Sequence, residues 1–570
     1  MAFTSRTRLV NPRLGTYFGI FTSGFAAVFF LALIFEFLGA SDGVLRGLMF
    51  FGPLLLYFGI GAFVPVRSLG DFFASGRRVP AFFNGAVLAA STLGGTALLA
   101  ITGTLMIAGV DAFAMTLGWT AGLVFMGVLF IPFLRKFGAY TLPSYFARRF
   151  ESRVVRLAAA AILVVPLLLV IIAEARFAAY AAGWLLGQSE RWMAVLLMAC
   201  VTVILILGGL RAISWSGVAM CIVLLLALAV PASVTSTLQS KLPIPQMTHG
   251  NALVPMSRAE AARGVPFVVA PALNVDLPSS THEPLIKRFL QPFGNIGSFG
   301  FVLLSLVCAA GIASSPALLT RAGTSPGVYE ARKTAGWAVL IVGLVMMTLP
   351  AIVVYYRSRI LDFVVGQSTD KLPEWFTLLQ QAGIARIETK TQLLLLSQIH
   401  FERDATLFSQ PIAMGYPQVL VYLSLAGALA AALAALSTTL MAAASILSED
   451  VIVPQLDDEA PDAARLFIAR LTILATGFVA MWIVIIAPGD PLELMLWALN
   501  ILASASFPVL FLSIWWKRTN AWGALLGMIV GFVLSILIIL LAETSMISMS
   551  SMISAVIAGP CALISTLVAT

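Results

Sequence analysis

The feature that most constrains this chain is a succession of apolar runs, each about 20 residues long, from one end to the other. A helix of about 20 apolar residues crosses the roughly 30 Å hydrocarbon layer of a bilayer. Charged residues make up only 11% of the chain, whereas a typical soluble domain carries about 25%. The sequence therefore predicts an all-α polytopic membrane protein.

We count about 14 candidate membrane spans. Their approximate limits are 16–39, 43–65, 80–110, 113–134, 156–187, 191–208, 213–238, 296–320, 334–357, 415–447, 465–487, 491–513, 520–542 and 549–568. If successive spans alternate in direction, the loops richest in Lys and Arg all fall on one side. Cytoplasmic loops are enriched in these residues, so we expect both termini in the cytoplasm. The same enrichment accounts for the net charge of +8 without a nucleic-acid partner.

Two of the spans are interrupted near the middle by small residues, over 89–95 and over 308–316. An unpaired backbone N–H or C=O inside a bilayer costs several kcal/mol, so a broken helix is tolerated where it lines a cavity. A matched pair of broken spans is the best sequence indication of a transporter's binding site. We therefore expect unwound backbone over 90–95 and around Gly311, in a secondary transporter.

Each interrupted span opens a set of five spans, and two further spans lie before and after the two sets. Because five is odd, the two sets cross the membrane in opposite directions, as in an inverted repeat. The predicted divisions are N-terminal accessory helices (1–79), a first five-helix repeat (80–240), an outer loop (241–295), a second repeat (296–513) with an outer loop (358–414), and C-terminal accessory helices (514–570). Outer loops of this length are typically lids or structured caps.

Residues that other function classes require are missing from the sequence. There is no Walker-type phosphate loop, which argues against pumping by ATP. The four cysteines and three histidines lack the spacing of metal ligands, and the spans lack the clustered polar residues of a membrane-embedded enzyme. We therefore expect no enzyme activity, no cofactor and no metal other than a coupling cation. A transporter-like sensor that does not couple remains an alternative.

Two charged residues, Glu174 and Arg176, lie inside the fifth span. A charge in the membrane interior is costly and normally faces a cavity or a partner. Residues two apart on a helix are separated by about 200° of rotation, so these two do not pair with each other. One hypothesis makes Arg176 the counter-ion of a substrate carboxylate, or Glu174 a proton- or cation-binding group. The alternative is a structural pair between helices, or a side chain that reaches the surface from a helix end.

Four stretches of sequence carry a family resemblance. The first is GDFFASGRRVPAFFNG at 70–85, and the second is AGIASSPALLTR at 310–321 together with Thr324, ARKT at 331–334 and Trp337. The third is FLRKFG at 133–138 with Tyr140 and Thr141, and the fourth is SFP at 506–508 with WWKR at 515–518. Over about residues 66–540 the chain resembles the solute:sodium symporter family, with its acetate-permease-like monocarboxylate branch the nearest match. The resemblance implies a LeuT-type 5+5 inverted repeat in a bacterial inner membrane. It also implies symport of a small organic solute, often a monocarboxylate, with Na⁺ or another cation.

The resemblance also implies an ion site. Its oxygens would be the carbonyls of Ala90, Leu93 and Ala434 and the hydroxyls of Ser437 and Thr438. A dehydrated Na⁺ needs hard oxygen ligands of these kinds. The alternative is that the two hydroxyls bond back to carbonyls of their own helix.

The chain departs from the family pattern in two places. It is about three residues shorter between Thr438 and Glu449, and an alignment anchored on Glu449 would put Ala434 and Ala435 at the hydroxyl positions. Thr92 stands where most relatives carry an acidic residue. A missing carboxylate lowers cation affinity, so both Na⁺ and H⁺ stay open as the coupling cation.

The substrate pocket is expected between the two interrupted spans. Candidate residues are Thr92, Gly94, Gly95 and Thr96 in the first, Gly311, Ser314 and Ser315 in the second, and Glu174 or Arg176. The N-terminus of a half-helix offers free N–H groups and a partial positive charge, which suit a carboxylate. The glycines also have a simpler interpretation as close helix contacts. Arg321 is expected to anchor the cytoplasmic edge of the eighth span.

Overall fold

The described part of the chain is almost entirely helical. The computed structural model describes residues 14–62, 66, 68–263, 267–268, 286–294, 296–387, 393–456, 461–486, 489–547 and 550–570. The basic N-terminal residues and part of both long loops lie outside these ranges. The predicted orientation in the membrane therefore stays a prediction, as do the predicted domain divisions.

The first part of the chain forms ten helices. They are α1 (Leu14–Phe37), α2 (Asp42–Ala62), α3 (Leu69–Ala74), α4 (Ala81–Gly95), α5 (Thr102–Ala108), α6 (Phe113–Phe125), α7 (Ile131–Phe137), α8 (Leu142–Phe150), α9 (Arg153–Leu186) and α10 (Glu190–Ser240). Turns of π-helix at Thr96–Ile101 and Met126–Phe130 join α4 to α5 and α6 to α7. Side chains of Thr141 and Ser152 cap the N-termini of α8 and α9, as hydroxyl residues commonly do.

The remaining helices and four short strands follow in chain order. They are α11 (Pro245–Thr248), α12 (Gly250–Arg263), β1 (Phe267–Val268), β2 (Ile286–Lys287), α13 (Gly297–Ala313), α14 (Pro316–Thr324), α15 (Val328–Phe363), α16 (Glu374–Gln381), β3 (Ala385–Ile387), β4 (Ile399–Phe401), α17 (Thr406–Ala413), α18 (Gln418–Ile446), α19 (Val453–Leu456), α20 (Asp462–Ile486), α21 (Pro491–Ile501), α22 (Phe507–Trp515), α23 (Ala521–Glu543) and α24 (Ala555–Val568). Strands β1 and β2 pair antiparallel, as do β3 and β4. The long loops are thus structured where they are described.

Eleven helical segments of the described chain are long and apolar enough to cross a membrane, or up to 12 if the bent pair α13–α14 is one span. Two of them, at 81–137 and 190–240, are 57 and 51 residues long. A straight helix of 57 residues would measure about 85 Å, far more than a bilayer requires. Gly109 (φ 61°) and Gly209 (φ 50°) interrupt these segments. The polytopic all-α class is confirmed, whereas the count of about 14 stays a prediction.

Helix α18 is the centre of the bundle, because all of its residues from Val419 to Ile446 are buried. It packs on α4, α9 and α10. Small side chains allow these close contacts, since a Cβ added to Gly427 would overlap with that of Ala227 on α10. Helix α18 carries no charged residue between its ends, so it offers only neutral oxygens to its neighbours.

A buried ion pair fixes the first long loop to the bundle. Arg357 of α15 is fully buried, and its Nε donates to Glu260 Oε1 of α12 over 2.7 Å. The same guanidinium donates through Nη1 to the carbonyl of Met106 near the end of α5. The other oxygen of Glu260 accepts from the backbone N–H of Phe289. One pair thus ties the loop to α15 and to α5.

We predict that Glu260→Ala is strongly destabilising, because it leaves Arg357 buried without its partner. Removing one member of a buried pair typically costs about 3–5 kcal/mol. The matched control is Glu330→Ala, whose partly exposed pair with Lys333 spans 3.8 Å and should contribute at most about 1 kcal/mol. The free energy of unfolding in detergent micelles measures both. Equal losses in the two variants would contradict the anchoring role of Glu260.

Candidate functional site

The first interruption is confined to a single residue. Gly94 has φ 58° and ψ −174°, a backbone conformation close to glycine-only, whereas the other residues of α4 keep helical dihedrals. The expectation of unwound backbone from 90 to 95 is therefore wrong in extent. The reason is that one glycine with positive φ turns the chain sharply enough to start a new helical segment at Gly95.

The carboxylate of Glu174 caps the segment that starts after this break. Its Oε2 accepts from Gly95 N–H at 2.6 Å, and its Oε1 accepts from the Thr96 hydroxyl at 2.7 Å and from Thr96 N–H at 3.4 Å. A Cβ added to Gly94 would overlap with the same carboxylate. Glu174 is 1% exposed, and its partners in the described chain are these neutral donors. The N–H groups expected to receive a substrate are therefore engaged by the protein itself.

The other candidate residues at the first break form hydrogen bonds and packing contacts with the surrounding helices. The Thr92 hydroxyl donates to the carbonyl of Leu88 in its own helix, at 2.7 Å. The Thr92 carbonyl accepts from the indole N–H of Trp119 at 2.9 Å. Gly95 lies against Phe177 of α9, where an added Cβ would come within 2.5 Å of the Phe177 Cβ. Gly95 thus supports the simpler interpretation of a close helix contact.

The second interruption lies at Ser314–Ser315, between α13 and α14, which are bent by 45°. Gly311 lies within α13, and a Cβ there would come within 2.5 Å of the Leu499 carbonyl of α21. The break therefore lies within the predicted interruption 308–316, but it is not centred on Gly311, because this glycine packs against α21. The Ser314 hydroxyl donates to the carbonyls of Ala310 and Leu502. Ser315 is half-buried at the start of α14.

The proposed ion ligands of α18 do face the first broken helix, through a residue that the sequence did not single out. Ser91 Oγ lies 2.8 Å from Thr438 Oγ1 and donates to the Ala434 carbonyl at 3.3 Å. The Ser437 hydroxyl bonds back to the same carbonyl at 3.2 Å, as the alternative interpretation expected. The carbonyl of Leu93 accepts from Thr96 N–H. Ser91, Ala434 and Thr438 thus form the contact between α4 and α18.

A π-helical turn explains the ambiguous register of α18. Residues Leu447–Ile452, which include Glu449 and Asp450, form this turn directly after the helix. A π turn holds an extra residue compared with an α turn. The spacing between Thr438 and Glu449 is therefore a poor guide to which residues face α4. Asp450 instead accepts from Ser144, at 2.6 Å, and from Arg156, at 2.8 Å.

Arg321 was expected to anchor the cytoplasmic edge of the eighth span. This expectation is wrong, because Arg321 is fully buried. The bend at Ser314–Ser315 brings α14 against α4 and α18. Arg321 donates from Nη1 to Ser214 at 2.9 Å and from Nη2 to Thr438 at 3.3 Å. Among the described residues, its Nε has no hydrogen-bond acceptor and no acidic side chain pairs with it. A cation bound at Thr438 would face this guanidinium, and like charges repel strongly at low dielectric.

Arg176 lies away from the break, on the wall of a separate cavity of about 360 Å³. It donates to the Gly489 carbonyl at 2.5 Å, and Phe177, Glu190, Glu402 and Asp404 also line the cavity. Burial raises the pKa of Glu402 and Asp404 above ordinary carboxyl values. Arg403 pairs with Asp404 and with Asp490, at 2.7 Å in each case. A cavity of this size suits a small solute.

Comparison with known proteins agrees with this architecture of two interrupted helices in a polytopic bundle. The model of the sodium:solute symporter family matches residues 72–238 and 412–531, about half of the chain. The chain belongs to this family, and it is a multi-pass membrane protein that carries out cation-coupled symport of a small solute. The resemblance to the family is thereby confirmed, whereas the monocarboxylate branch stays a prediction.

Two known proteins are similar to the chain over most of its length. An uncharacterized symporter of Cupriavidus necator is 26% identical to the chain, covering 91% of this chain and 88% of that protein. The structure of a Na⁺-coupled sialic acid symporter in a substrate-bound outward-open state covers 92% of this chain and 96% of its own, with a TM-score of 0.67 and 17% identity. This likeness confirms the LeuT-type fold.

We predict that Gly94→Ala destabilises the protein by two separable effects. Its backbone conformation would cost about 1–3 kcal/mol for a residue with a Cβ, and the Cβ would displace the Glu174 carboxylate. The control Gly336→Ala meets no atom within 4 Å and lies inside α15, so it should be neutral or stabilising by up to about 1 kcal/mol. The double variant Gly94→Ala/Glu174→Ala should be more stable than the sum of its single changes in an unfolding assay. Strict additivity would show that the carboxylate does not lie over Gly94.

Proposed function

We propose that this symporter imports a small monocarboxylate, together with Na⁺ or H⁺, by alternating access between its two repeats. The single observation that carries the proposal is Arg321, a buried guanidinium without an acidic partner in the described chain. Uncompensated charge in a low-dielectric interior costs several kcal/mol. An anionic cargo near this residue would neutralise it, whereas a cationic cargo would add to the cost.

The position of Arg321 relative to the two breaks supports the proposal. It lies on α14, seven residues after Ser314, and contacts Thr438, which in turn contacts Ser91. Ser91 precedes Gly94 by three residues, or about 4.5 Å along a helix. Both broken helices thus approach one buried polar cluster. A cargo between them would be close to amide N–H groups, hydroxyls and one positive charge.

The coupling cation has two candidate positions. Sodium would bind oxygens among Ala90, Leu93, Ala434, Ser437 and Thr438. Of these residues, Leu93, Ala434, Ser437 and Thr438 already take part in hydrogen bonds. A proton would bind a carboxylate, for which Glu174 is the buried candidate on the break itself. The guanidinium on Thr438 weighs against a cation at that hydroxyl. We further propose that the protein resides in a bacterial inner membrane with both termini in the cytoplasm.

We predict that proteoliposomes containing the protein take up labelled acetate, propionate or lactate above the equilibrium level. The Na⁺ and pH gradients are imposed separately, and protein-free liposomes correct for diffusion of the undissociated acids. Accumulation under one gradient alone identifies the coupling cation. Exchange without accumulation under either gradient would instead indicate a non-coupling member of the family.

We predict that Arg321→Met weakens monocarboxylate binding by about tenfold or more, because it removes the buried positive charge. A hydrogen bond to a charged group contributes about 1.5–3 kcal/mol, and about 1.4 kcal/mol corresponds to a factor of ten. Arg321→Lys retains the charge and should recover part of the affinity. The control is Arg332→Met, since Arg332 is exposed on α15. Unchanged affinity in a folded Arg321→Met protein would contradict an anionic cargo at this position.

A further inference from the structure

We propose that Glu174 is the proton-binding group of this symporter, and that its carboxylate and that of the cargo occupy the same N–H donors at the Gly94 break in turn. The inference rests on the proposed function, because it takes a monocarboxylate as the cargo. Beyond the proposed function, it identifies H⁺ as the coupling cation and Glu174 as the group that binds the proton. It also explains why the cargo anion binds only together with that proton.

The Glu174 carboxylate and a cargo carboxylate would compete for the same hydrogen-bond donors. The backbone N–H groups of Gly95 and Thr96 and the hydroxyl of Thr96 all point at the Glu174 carboxylate. These donors suit any carboxylate, because they combine backbone N–H groups with the positive end of a half-helix. While Glu174 is ionised, its oxygens occupy them. A cargo anion can therefore bind there only after Glu174 has left.

Protonation provides that release. A proton from solution forms an O–H bond with one carboxyl oxygen of Glu174, and the side chain loses its negative charge. The attraction between the neutral acid and the half-helix N-terminus is weaker, since it depended on that charge. The cargo anion then takes the place of the carboxylate as acceptor for Gly95 and Thr96. One proton and one anion enter together, so no net charge moves.

The charges of the interior support this order of events. Seven charged side chains of the described chain are buried: Asp111, Glu174, Glu260, Arg321, Arg357, Glu449 and Asp450. Glu260 pairs with Arg357, Glu449 with Arg465, and Asp450 with Arg156. Asp111 lies at the end of the α5 segment and accepts from Phe293 N–H of the first long loop. Glu174 and Arg321 are left as one negative and one positive charge in the bundle.

The empty and loaded transporters then carry the same interior charge. Without cargo, the charges of ionised Glu174 and Arg321 sum to zero. With cargo, Glu174 is neutral, and the charges of the anion and Arg321 sum to zero. Binding of the anion alone would leave a net negative charge, and binding of the proton alone would leave a net positive charge. Both half-loaded states are costly at low dielectric, which couples the two ligands.

The described segments of α4 and α18 bring no charged side chain against Glu174. Helix α4 has no charged residue from Ala81 to Gly95, and α18 has none from Gln418 to Ile446. Arg176 of the same helix donates to the Gly489 carbonyl. The acidic residues of α10 and α21 nearest to this level are Glu190 and Glu493, each within the first turn of its helix. From the second long loop, Glu402 and Asp404 face the neighbouring cavity.

That cavity supplies a route for the proton. Phe177 lines the cavity and also packs against Gly95, so this residue links the cavity wall to the backbone at the break. The cavity wall carries the carboxylates of Glu190, Glu402 and Asp404 beside the guanidinium groups of Arg176 and Arg191. Movement of the Phe177 side chain would bring Glu174 into contact with the cavity.

The decisive measurement is proton uptake on cargo binding. Purified protein in weakly buffered detergent solution with a pH indicator receives propionate at neutral pH. The wild-type protein should take up about one proton per bound anion, and Glu174→Gln should take up none while it still binds propionate. The control Glu493→Gln, a half-buried carboxylate of a neighbouring helix, should behave like the wild-type protein. Binding without proton uptake by the wild-type protein would overturn the inference.

Tracer exchange in proteoliposomes gives a second, independent readout. Exchange of labelled lactate by the wild-type protein should accelerate as pH falls, because protonated Glu174 is the form that admits the anion. Glu174→Gln is permanently neutral, so its exchange should be independent of pH, and a pH gradient should no longer drive accumulation. For wild type, a gradient of one pH unit supports up to about tenfold accumulation. Accumulation by Glu174→Gln equal to that of wild type would refute the role of Glu174.

The two proposals fail in different ways. Uptake that requires Na⁺, with no proton uptake and with Glu174→Gln unaffected, overturns the proton site and leaves monocarboxylate symport intact. No binding or exchange of any monocarboxylate by the wild-type protein overturns both. If Glu174→Gln does not fold, Glu174→Asp replaces it. The shorter carboxylate should retain proton uptake but exchange more slowly, since it reaches the Gly95 and Thr96 donors less well.

Discussion

The structure depends on how the backbone N–H groups freed at Gly94 are satisfied inside an apolar bundle. In this environment water cannot satisfy them, and an unpaired group costs several kcal/mol. The carboxylate of Glu174, on a different helix, accepts their hydrogen bonds. This arrangement requires three features of the surrounding structure. Position 94 must be a glycine with positive φ, position 96 contributes a hydroxyl, and α9 must cross the break at the level of Glu174.

The same constraint explains what the sequence could and could not predict. The apolar runs and the small residues at 89–95 predicted the polytopic fold and the first break, because both are local properties of the chain. The second break lies inside the predicted run 308–316 but after Gly311, since Gly311 is a packing glycine and the break precedes Pro316, at the first position of the next helix. A glycine that packs against a neighbouring helix and a glycine that breaks its own helix look the same in the sequence, because the sequence does not show which helix each one faces.

Residues defined by tertiary contacts were missed for a related reason. A basic residue near the end of a predicted span looks the same whether the helix reaches the membrane surface or bends inward. Arg321 is buried because α14 turns by 45°, an angle that the sequence does not encode locally. Ser91 is a lone hydroxyl in an alanine-rich run, and its significance is visible only through Thr438 on α18. The π-helical turn at Leu447–Ile452 hides the register in the same way.

The absence of charged residues from the central helix limits which residues can select the coupling cation. Helix α18 contacts both broken helices through α4 and α14, yet it is uncharged along its length. It can therefore offer neutral oxygens to several cations, but it cannot supply a fixed charge that selects one of them. The fixed charges come from Glu174 on α9 and Arg321 on α14. If Glu174 binds the coupled proton as proposed, the coupling cation is selected by a residue outside the central helix.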